Sequence, residues 1–285
     1  MTRSVKIMNI RNKFETHMVS TDPVDGLPNQ NLAKALSILD TFSAKRPEWG
    51  IRELGRELGI NPSTVYRLVT TLYQAGYLER NPDNLAYSLG PKVMKLAGLY
   101  AHTNPLPALA HKVFESYAYR FKYNYYLGSL VHFEVVYLAV LDGQGPIKIV
   151  VEPGGTTGIH TTAMGKVLLS FKPDDFIHRF IKESGLPRYT PRSITDPARL
   201  WEQVAAIRRQ HYAINDGEQF DEVGSVGVPM RDAKGRISMA VSLAYPRHLI
   251  DGYSLHLEDL ISLANEVARE IEKRSGSTYL PGDEG

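Results

Sequence analysis

The chain has no cysteine among its 285 residues. Disulfides, thiol nucleophiles and thiolate metal sites are therefore excluded. It also lacks any apolar run near the roughly 20 residues that a membrane helix needs, because Lys, Glu, Asp, Gly or Pro interrupts each one. The basic start MTRSVKIMNIRNKFETHMVS has neither a compact apolar stretch nor a small-residue cleavage site, so a cytoplasmic location is expected. The nine histidines form no H-E-x-x-H and no zinc-like spacing, and neither a metal nor a cofactor is expected. Net charge is close to balance at +2. What remains, 43% hydrophobic and 22% charged, is a composition able to bury a real core in one large or two ordinary domains.

The balanced total hides an uneven distribution. Residues 27–95 carry nine Lys and Arg against six Asp and Glu, while the chain beyond them is slightly acidic. A basic front on such a body fits nucleic-acid binding, weakly by itself. Residues 1–26 show no sustained periodicity and read as a flexible tail. In the block that follows, Leu32, Leu36, Leu39 and Phe42 mark one apolar face of a first helix, and Ile51, Leu54 and Leu58 that of a second. Asn61 and Pro62 supply an N-cap and a first helical residue for a third. Two short extended runs around Asn81-Pro82-Asp83-Asn84 then form a hairpin. Three short helices and a hairpin over residues 27–90 make a winged helix-turn-helix.

The third helix decides what this block does. Val65, Leu68, Val69 and Leu72 face a core, while Ser63, Thr64, Tyr66, Arg67, Thr70 and Thr71 face outward with no acid between Ser63 and Gln74. An ordinary solvated helix carries Glu and Lys in mixture. This face instead offers short hydroxyls that permit close approach and one guanidinium that can reach guanine or phosphate. The sequence expectation is that Asn61, Ser63, Thr64, Tyr66, Arg67 and Thr70 meet double-stranded DNA, with free N–H groups at Ser63 and Thr64 receiving a phosphate. Arg80, Asn81 and Asn84 of the wing are expected to add backbone or minor-groove contacts.

A helix over 91–104 links this block to residues 105–275, and 276–285 read as a second flexible tail. In 105–275, β-rich runs such as YYLGSLV, FEVVYLAVL, GSVGVPM and ISMAVSLA alternate with helical patterns such as AMGKVLLSF and DPARLWEQVAAIRRQHY. The pattern predicts an α+β sensory-type domain with helices over an antiparallel sheet.

Three segments carry a family resemblance: the winged-helix stretch with its STVYRL helix, GIHTTAMGKVLLS, and GEQFDEVGSVGVPMRDAKGRISMAVSLAYP. In this order they resemble the IclR family of bacterial transcriptional regulators over nearly all of residues 31–274. The resemblance implies a homodimer through the N-terminal domains, often a dimer of dimers, and a GAF-like C-terminal domain that binds a small-molecule effector. It implies effector contacts at the helix start Thr162, Ala163 and Met164, at Asn215 or Asp216, at Ser225 (where cysteine is frequent) and at Ser242. Ala244 stands where some relatives that bind small oxoacids have a serine. With Ala244, Met164 and no cysteine, the expected effector is a larger organic acid, partly aromatic, packed on Met164 and Val226. The expected function is ligand-responsive regulation, as a repressor, of a catabolic operon.

Competing readings are weaker. Gly165-Lys166 lacks the first glycine and the following hydroxyl of a P-loop, and GSVG at 224–227 is not a nucleophile elbow. His160 and Thr161 suit helix capping as well as ligand contact. The alternative, an enzyme with an appended DNA-binding-like module using His160 and Asp216, has no nucleophile–base–orienter set and hence no catalytic residues to name.

Overall fold

A computed structural model describes residues 28–144, 151–232, 234–251 and 255–276, together with the backbone of two short strands, Lys6–Met8 (β1) and Ile147–Ile149. The rest of the tails expected at 1–26 and 276–285 lies outside the described residues, apart from Gly276. The chain divides into two units, residues 11–104 and residues 105–285 with 1–10.

In the first unit, α1 (Gln30–Asp40), α2 (Ile51–Glu57) and α3 (Pro62–Gln74) precede a hairpin of β2 (Leu78–Arg80) and β3 (Tyr87–Leu89) and then α4 (Pro91–Thr103). The core is Ile38, Trp49, Leu54, Ile60, Val65, Val69, Leu78 and Tyr87. Trp49 and Tyr87 exchange backbone hydrogen bonds of 2.9 Å each way, which stitches the segment before α2 to the hairpin. One expectation fails in α1. The buried face is Ala33, Ser37 and Ile38, whereas Leu32 and Leu36 are 57% and 51% exposed. The other half of the stripe holds, since Leu39 and Phe42 pack against the core. In α4 no residue is buried, and Met94, Leu96, Leu99 and Tyr100 are exposed.

The second unit begins with α5 (Leu106–Tyr117), followed by β4 (Asn124–Val131), β5 (Glu134–Leu141), β6 (Ile147–Ile149, parallel to β1) and β7 (Thr156–Thr157). Helices α6 (Ala163–Ser170), α7 (Asp174–Ser184) and α8 (Pro197–Gln210) come next. Strands β8 (Ala213–Asp216), β9 (Val223–Arg231) and β10 (Ile237–Pro246), then α9 (His248–Asp251) and α10 (Leu257–Ser275), complete it. Six strands form one antiparallel sheet in the order β7-β5-β4-β10-β9-β8.

Strand alternation gives the sheet two unlike faces. Tyr125, Leu127, Val226, Val228, Val241 and Leu243 pack with α5 and α10 in the larger core. The residues between them turn to the other face, where α6 lies, and a second cluster of Ile159, Leu169, Ile177, Phe180, Leu200 and Val204 forms among α6, α7 and α8. The β9–β10 turn uses Gly235 at φ +73°, the left-handed region that glycine enters without strain.

Candidate functional site

The outer face of α3 is built from its cap. The Asn61 side chain accepts from Ser63 N–H at 3.0 Å and from the Ser63 hydroxyl at 2.9 Å, while Thr64 N–H donates to the Asn61 carbonyl at 2.9 Å. This corrects the expectation of free N–H groups at Ser63 and Thr64: the helix end is already capped, so it offers no open phosphate site there. Thr70 and Thr71 hydroxyls donate to the carbonyls of Tyr66 and Arg67 at 2.7 and 3.0 Å, leaving only acceptor lone pairs outward. Tyr66 is exposed, and Arg67 is exposed with no ion-pair partner among the described residues. The two strongest outward donors of the face are therefore Arg67 and Tyr66.

The wing is held from outside itself. Asn81 and Asn84 donate from their side-chain amides to the two carboxylate oxygens of Glu48, at 3.1 and 2.8 Å. Their own carbonyl oxygens accept from Asp83 N–H at 3.0 Å and Ala86 N–H at 2.9 Å. The two amide bonds hold the Glu48 carboxyl below the ordinary carboxylate range. Each asparagine expected to touch DNA thus has one of its two amide N–H donors engaged within the protein. Arg80 lies 5.8 Å from the Tyr87 ring centroid.

On the α6 side of the sheet, tight backbone contact places the helix start. A Cβ added at Gly227 would stand 2.7 Å from the Ala163 carbonyl carbon and 2.9 Å from Met164 N; one at Gly128 would stand 2.6 Å from Met164 Sδ. Only glycine admits α6 at this depth. Thr162 caps the helix, its hydroxyl accepting from Gly165 N–H at 3.1 Å and donating to the Gly158 carbonyl at 2.7 Å. Lys166 N–H donates to the Thr162 carbonyl, whereas the N–H groups of Ala163 and Met164, both buried, have no acceptor among the described residues.

Around this point the sheet contributes Asn215 and Ser225, which are register partners, and Ser242, which pairs with Tyr126 and Gly227. Asn215 accepts from Glu218 N–H at 2.8 Å, and the Ser242 hydroxyl donates to the Val226 carbonyl at 2.9 Å. The rings of Tyr126 and Tyr137 lie 5.1 Å apart, and burial pushes the Tyr137 phenol up to about 12 and raises Tyr126 well above the ordinary phenol value, so both stay neutral.

The structure therefore brings Thr162, Ala163, Met164, Asn215, Ser225 and Ser242 to one face. Asp216, the next residue along β8, points away: it is exposed and pairs with Arg192 at 3.2 Å and Arg247 at 3.5 Å. Val226 is likewise corrected, since its side chain belongs to the opposite core.

Two charged groups behind this face escaped sequence reasoning. Lys166, 1% exposed, donates to Glu218 at 2.5 Å and to the Ile214 carbonyl at 2.7 Å. Burial raises the Glu218 carboxyl and lowers the Lys166 ammonium, and their mutual attraction opposes both shifts. A single charge in the otherwise apolar AMGKVLLS was the available signal. His160, fully buried between Phe180 and Tyr189, holds the Pro187 carbonyl at 3.1 Å, and desolvation lowers its pKa to about 4, so it is neutral at pH 7. An open concavity of ~700 Å³ by Tyr117, His211, Glu266 and Arg269 shares no residue with the α6 face. Among the described residues no group of His, Asp and Glu could hold a metal, and no helix is long and apolar enough to cross a membrane.

Comparison with known proteins agrees with both halves. Residues 31–82 match the IclR helix-turn-helix domain, and residues 98–273 match the bacterial transcriptional regulator IclR C-terminal domain. The chain is 26% identical over 226 residues to the HTH-type transcriptional regulator XynR of Escherichia coli, covering 79% of this chain and 90% of that protein. It is 27% identical over 248 residues to the regulator BhcR of Paracoccus denitrificans, covering 84% and 85%. A crystal structure of an IclR-type regulator from Silicibacter sp. superposes with a TM-score of 0.79 at 26% identity, over 88% of this chain and 98% of that one. With a helix-turn-helix unit at one end, a sheet-and-helix sensor unit at the other and family matches spanning both, the chain belongs to the IclR family and is a ligand-responsive, DNA-binding transcriptional regulator.

Proposed function

We propose that the effector is a small aromatic monocarboxylate bound between α6 and the sheet, and that its binding releases repression of a catabolic operon. The observation that carries this reading is the pair of buried N–H groups at Ala163 and Met164, positive ends of a helix with no acceptor of their own. Nearby cations cannot serve instead: Lys166 is engaged by Glu218 and His160 is neutral. One carboxylate suits two N–H donors, whereas a polyanion would lack countercharge. Tyr126, Tyr137 and Met164 offer apolar surface for a ring, and Ser225, Ser242 and Asn215 offer polar contacts.

On the DNA side, Arg67 and Tyr66 are the proposed readers in the major groove, with Asn61, Ser63, Thr64 and Thr70 shaping the helix face and Arg80 meeting phosphate from the wing. The exposed apolar residues Leu32 and Leu36 of α1 and Met94, Leu96, Leu99 and Tyr100 of α4 support a homodimer through the N-terminal unit, singly or as a dimer of dimers. Two recognition helices then read half-sites about 34 Å apart, and effector binding changes that spacing. This regulator would act in the cytoplasm.

A gel shift on the upstream intergenic DNA, with panels of aromatic and aliphatic acids, tests the whole reading. Release of a specific complex by an aromatic acid is expected. Calorimetry that finds tight binding of two- or three-carbon acids and none of aromatic acids overturns the effector class.

A further inference from the structure

The wing turn contains an anomaly that the fold does not require. Leu85 has φ +59°, in the left-handed region, and its side chain is 55% exposed. That region favours Gly or Asn, and a bulky side chain there is strained. Asn84 stands one position earlier and could occupy it more easily. The turn is nonetheless closed in this register by Asn81 N–H donating to the Ala86 carbonyl at 2.8 Å and Leu85 N–H donating to the Asn81 carbonyl at 3.0 Å. Strain that surrounding bonds over-determine is a marker of function.

Glu48 braces the same turn from outside it. Its carboxylate takes both wing asparagine amides, while the asparagine carbonyls cap Asp83 and Ala86. Each amide therefore has one of its two N–H donors committed to Glu48 rather than to a base or phosphate. The exposed tip also carries Pro82, Asp83 and Leu85, of which Leu85 is the one large apolar side chain. Single exposed leucines are ordinary on protein surfaces. This one differs because the backbone is held in a conformation that would be easier without the side chain, on the hairpin that follows the helix-turn-helix directly.

We propose that Leu85 is a DNA-contacting residue, entering the minor groove beside the position of α3 as an apolar wedge, with Glu48 as the positioning residue that holds the wing tip for it. An apolar side chain placed between base steps unstacks them and bends the duplex. Flexible pyrimidine–purine steps at that position are accordingly favoured in the operator. Because the contact neutralises no phosphate, it adds affinity without adding salt dependence. The inference rests on α3 being the major-groove element.

The test uses the full-length protein and its own upstream intergenic DNA. Leu85→Gly relieves the strained φ, so its Tm rises, yet operator affinity falls about tenfold at fixed salt. The slope of log affinity against log salt stays at the wild-type value, whereas Arg80→Ala lowers it. Hydroxyl-radical protection of the flanking minor groove and the electrophoretic bend both diminish. Leu85→Met keeps both, and Leu85→Asn, which suits the backbone, loses both. Glu48→Gln weakens the same protection, and adding Leu85→Gly to it costs little more. A Leu85→Gly protein that binds the operator as tightly as wild type, with footprint and bend intact, overturns the proposal. So does a changed dimer dissociation constant with an unchanged footprint, which would make Leu85 a subunit contact. Failure of the underlying α3 reading is recognised separately, by an Arg67→Ala protein of undiminished affinity.

Discussion

Replacing Lys166 by Met removes the one charge of α6 while keeping most of its length. In the wild type the ammonium is 1% exposed and the partner carboxylate sits in a residue 6% exposed. Glu218 Oε2 has no hydrogen-bond partner, so the Lys166 contact on Oε1 is the main compensation for burying this side chain. Removing one partner of such a pair leaves a buried, uncompensated charge and costs ~3–5 kcal/mol. Against a total stability of ~5–15 kcal/mol this is a large fraction. The Ile214 carbonyl also loses a donor. Adding Glu218→Gln to Lys166→Met neutralises the stranded group and should restore at least ~2 kcal/mol, a coupling typical of direct contact. The sign of the pH effect follows from burial. With its countercharge gone, the Glu218 carboxyl rises further above its unfolded value, so the native state holds the extra proton. Stability of Lys166→Met therefore increases as pH falls from 7 toward 5, narrowing its deficit. The chain has two tryptophans, Trp49 in the first unit and Trp201 in the second. Urea unfolding followed by Trp201 fluorescence in a Trp49→Phe background reports the second unit. A loss below ~1 kcal/mol, or a double variant no more stable than the single, refutes the reasoning.

Further outcomes follow from the same geometry. Arg67→Ala should weaken operator binding by roughly 1–3 kcal/mol and leave effector calorimetry unchanged; a lost effector response would place Arg67 in the coupling rather than the reading face. Gly227→Ala drives a methyl into the Ala163–Met164 backbone, costing about 1–3 kcal/mol and abolishing the effector response while ligand-free operator affinity persists; a normal effector titration would detach α6 from the site. His160, with a folded pKa of about 4 against an ordinary ~6.5, makes the unfolded state the better proton acceptor between those values. Stability attributable to it falls as pH drops from about 6.5 to about 4, by up to ~3 kcal/mol, and His160→Phe removes that component. Identical pH profiles for the two proteins would show that the ring is not held neutral.

Local signals in the sequence were sound where the deciding contacts are local. Asn61-Pro62 starts α3, and Val65 and Val69 face the core. Where the partner is distant in sequence, the reading broke down. The stripe from Leu32 to Phe42 holds only at Leu39 and Phe42, because a stripe does not say which neighbour covers it, and at the helix start the buried residues are Ala33, Ser37 and Ile38. Asn81 and Asn84 looked like free amides because Glu48 is 33 and 36 residues away. Val226 was a different failure. Parity alone separates it from Ser225 and Gly227, so the alternation along β9 already assigned them to opposite faces. Ser63 and Thr64 keep no free N–H groups because Asn61, legible in the sequence as an N-cap, takes both.

The strand order carries a consequence for how the protein is made. Among the described residues the buried core of the first unit lies between Ala33 and Tyr87, so it can close as soon as that stretch leaves the ribosome. The sheet of the second unit cannot, because its central pairing joins β4, at 124–131, to β10, at 237–246. At ~5–20 residues per second, roughly 10–30 s separate the two events. During that interval a nascent chain already holds its helix-turn-helix but has no sheet against which α6 can seat. A chain arrested there would keep the means to meet DNA and lack the surface through which a metabolite could call it off.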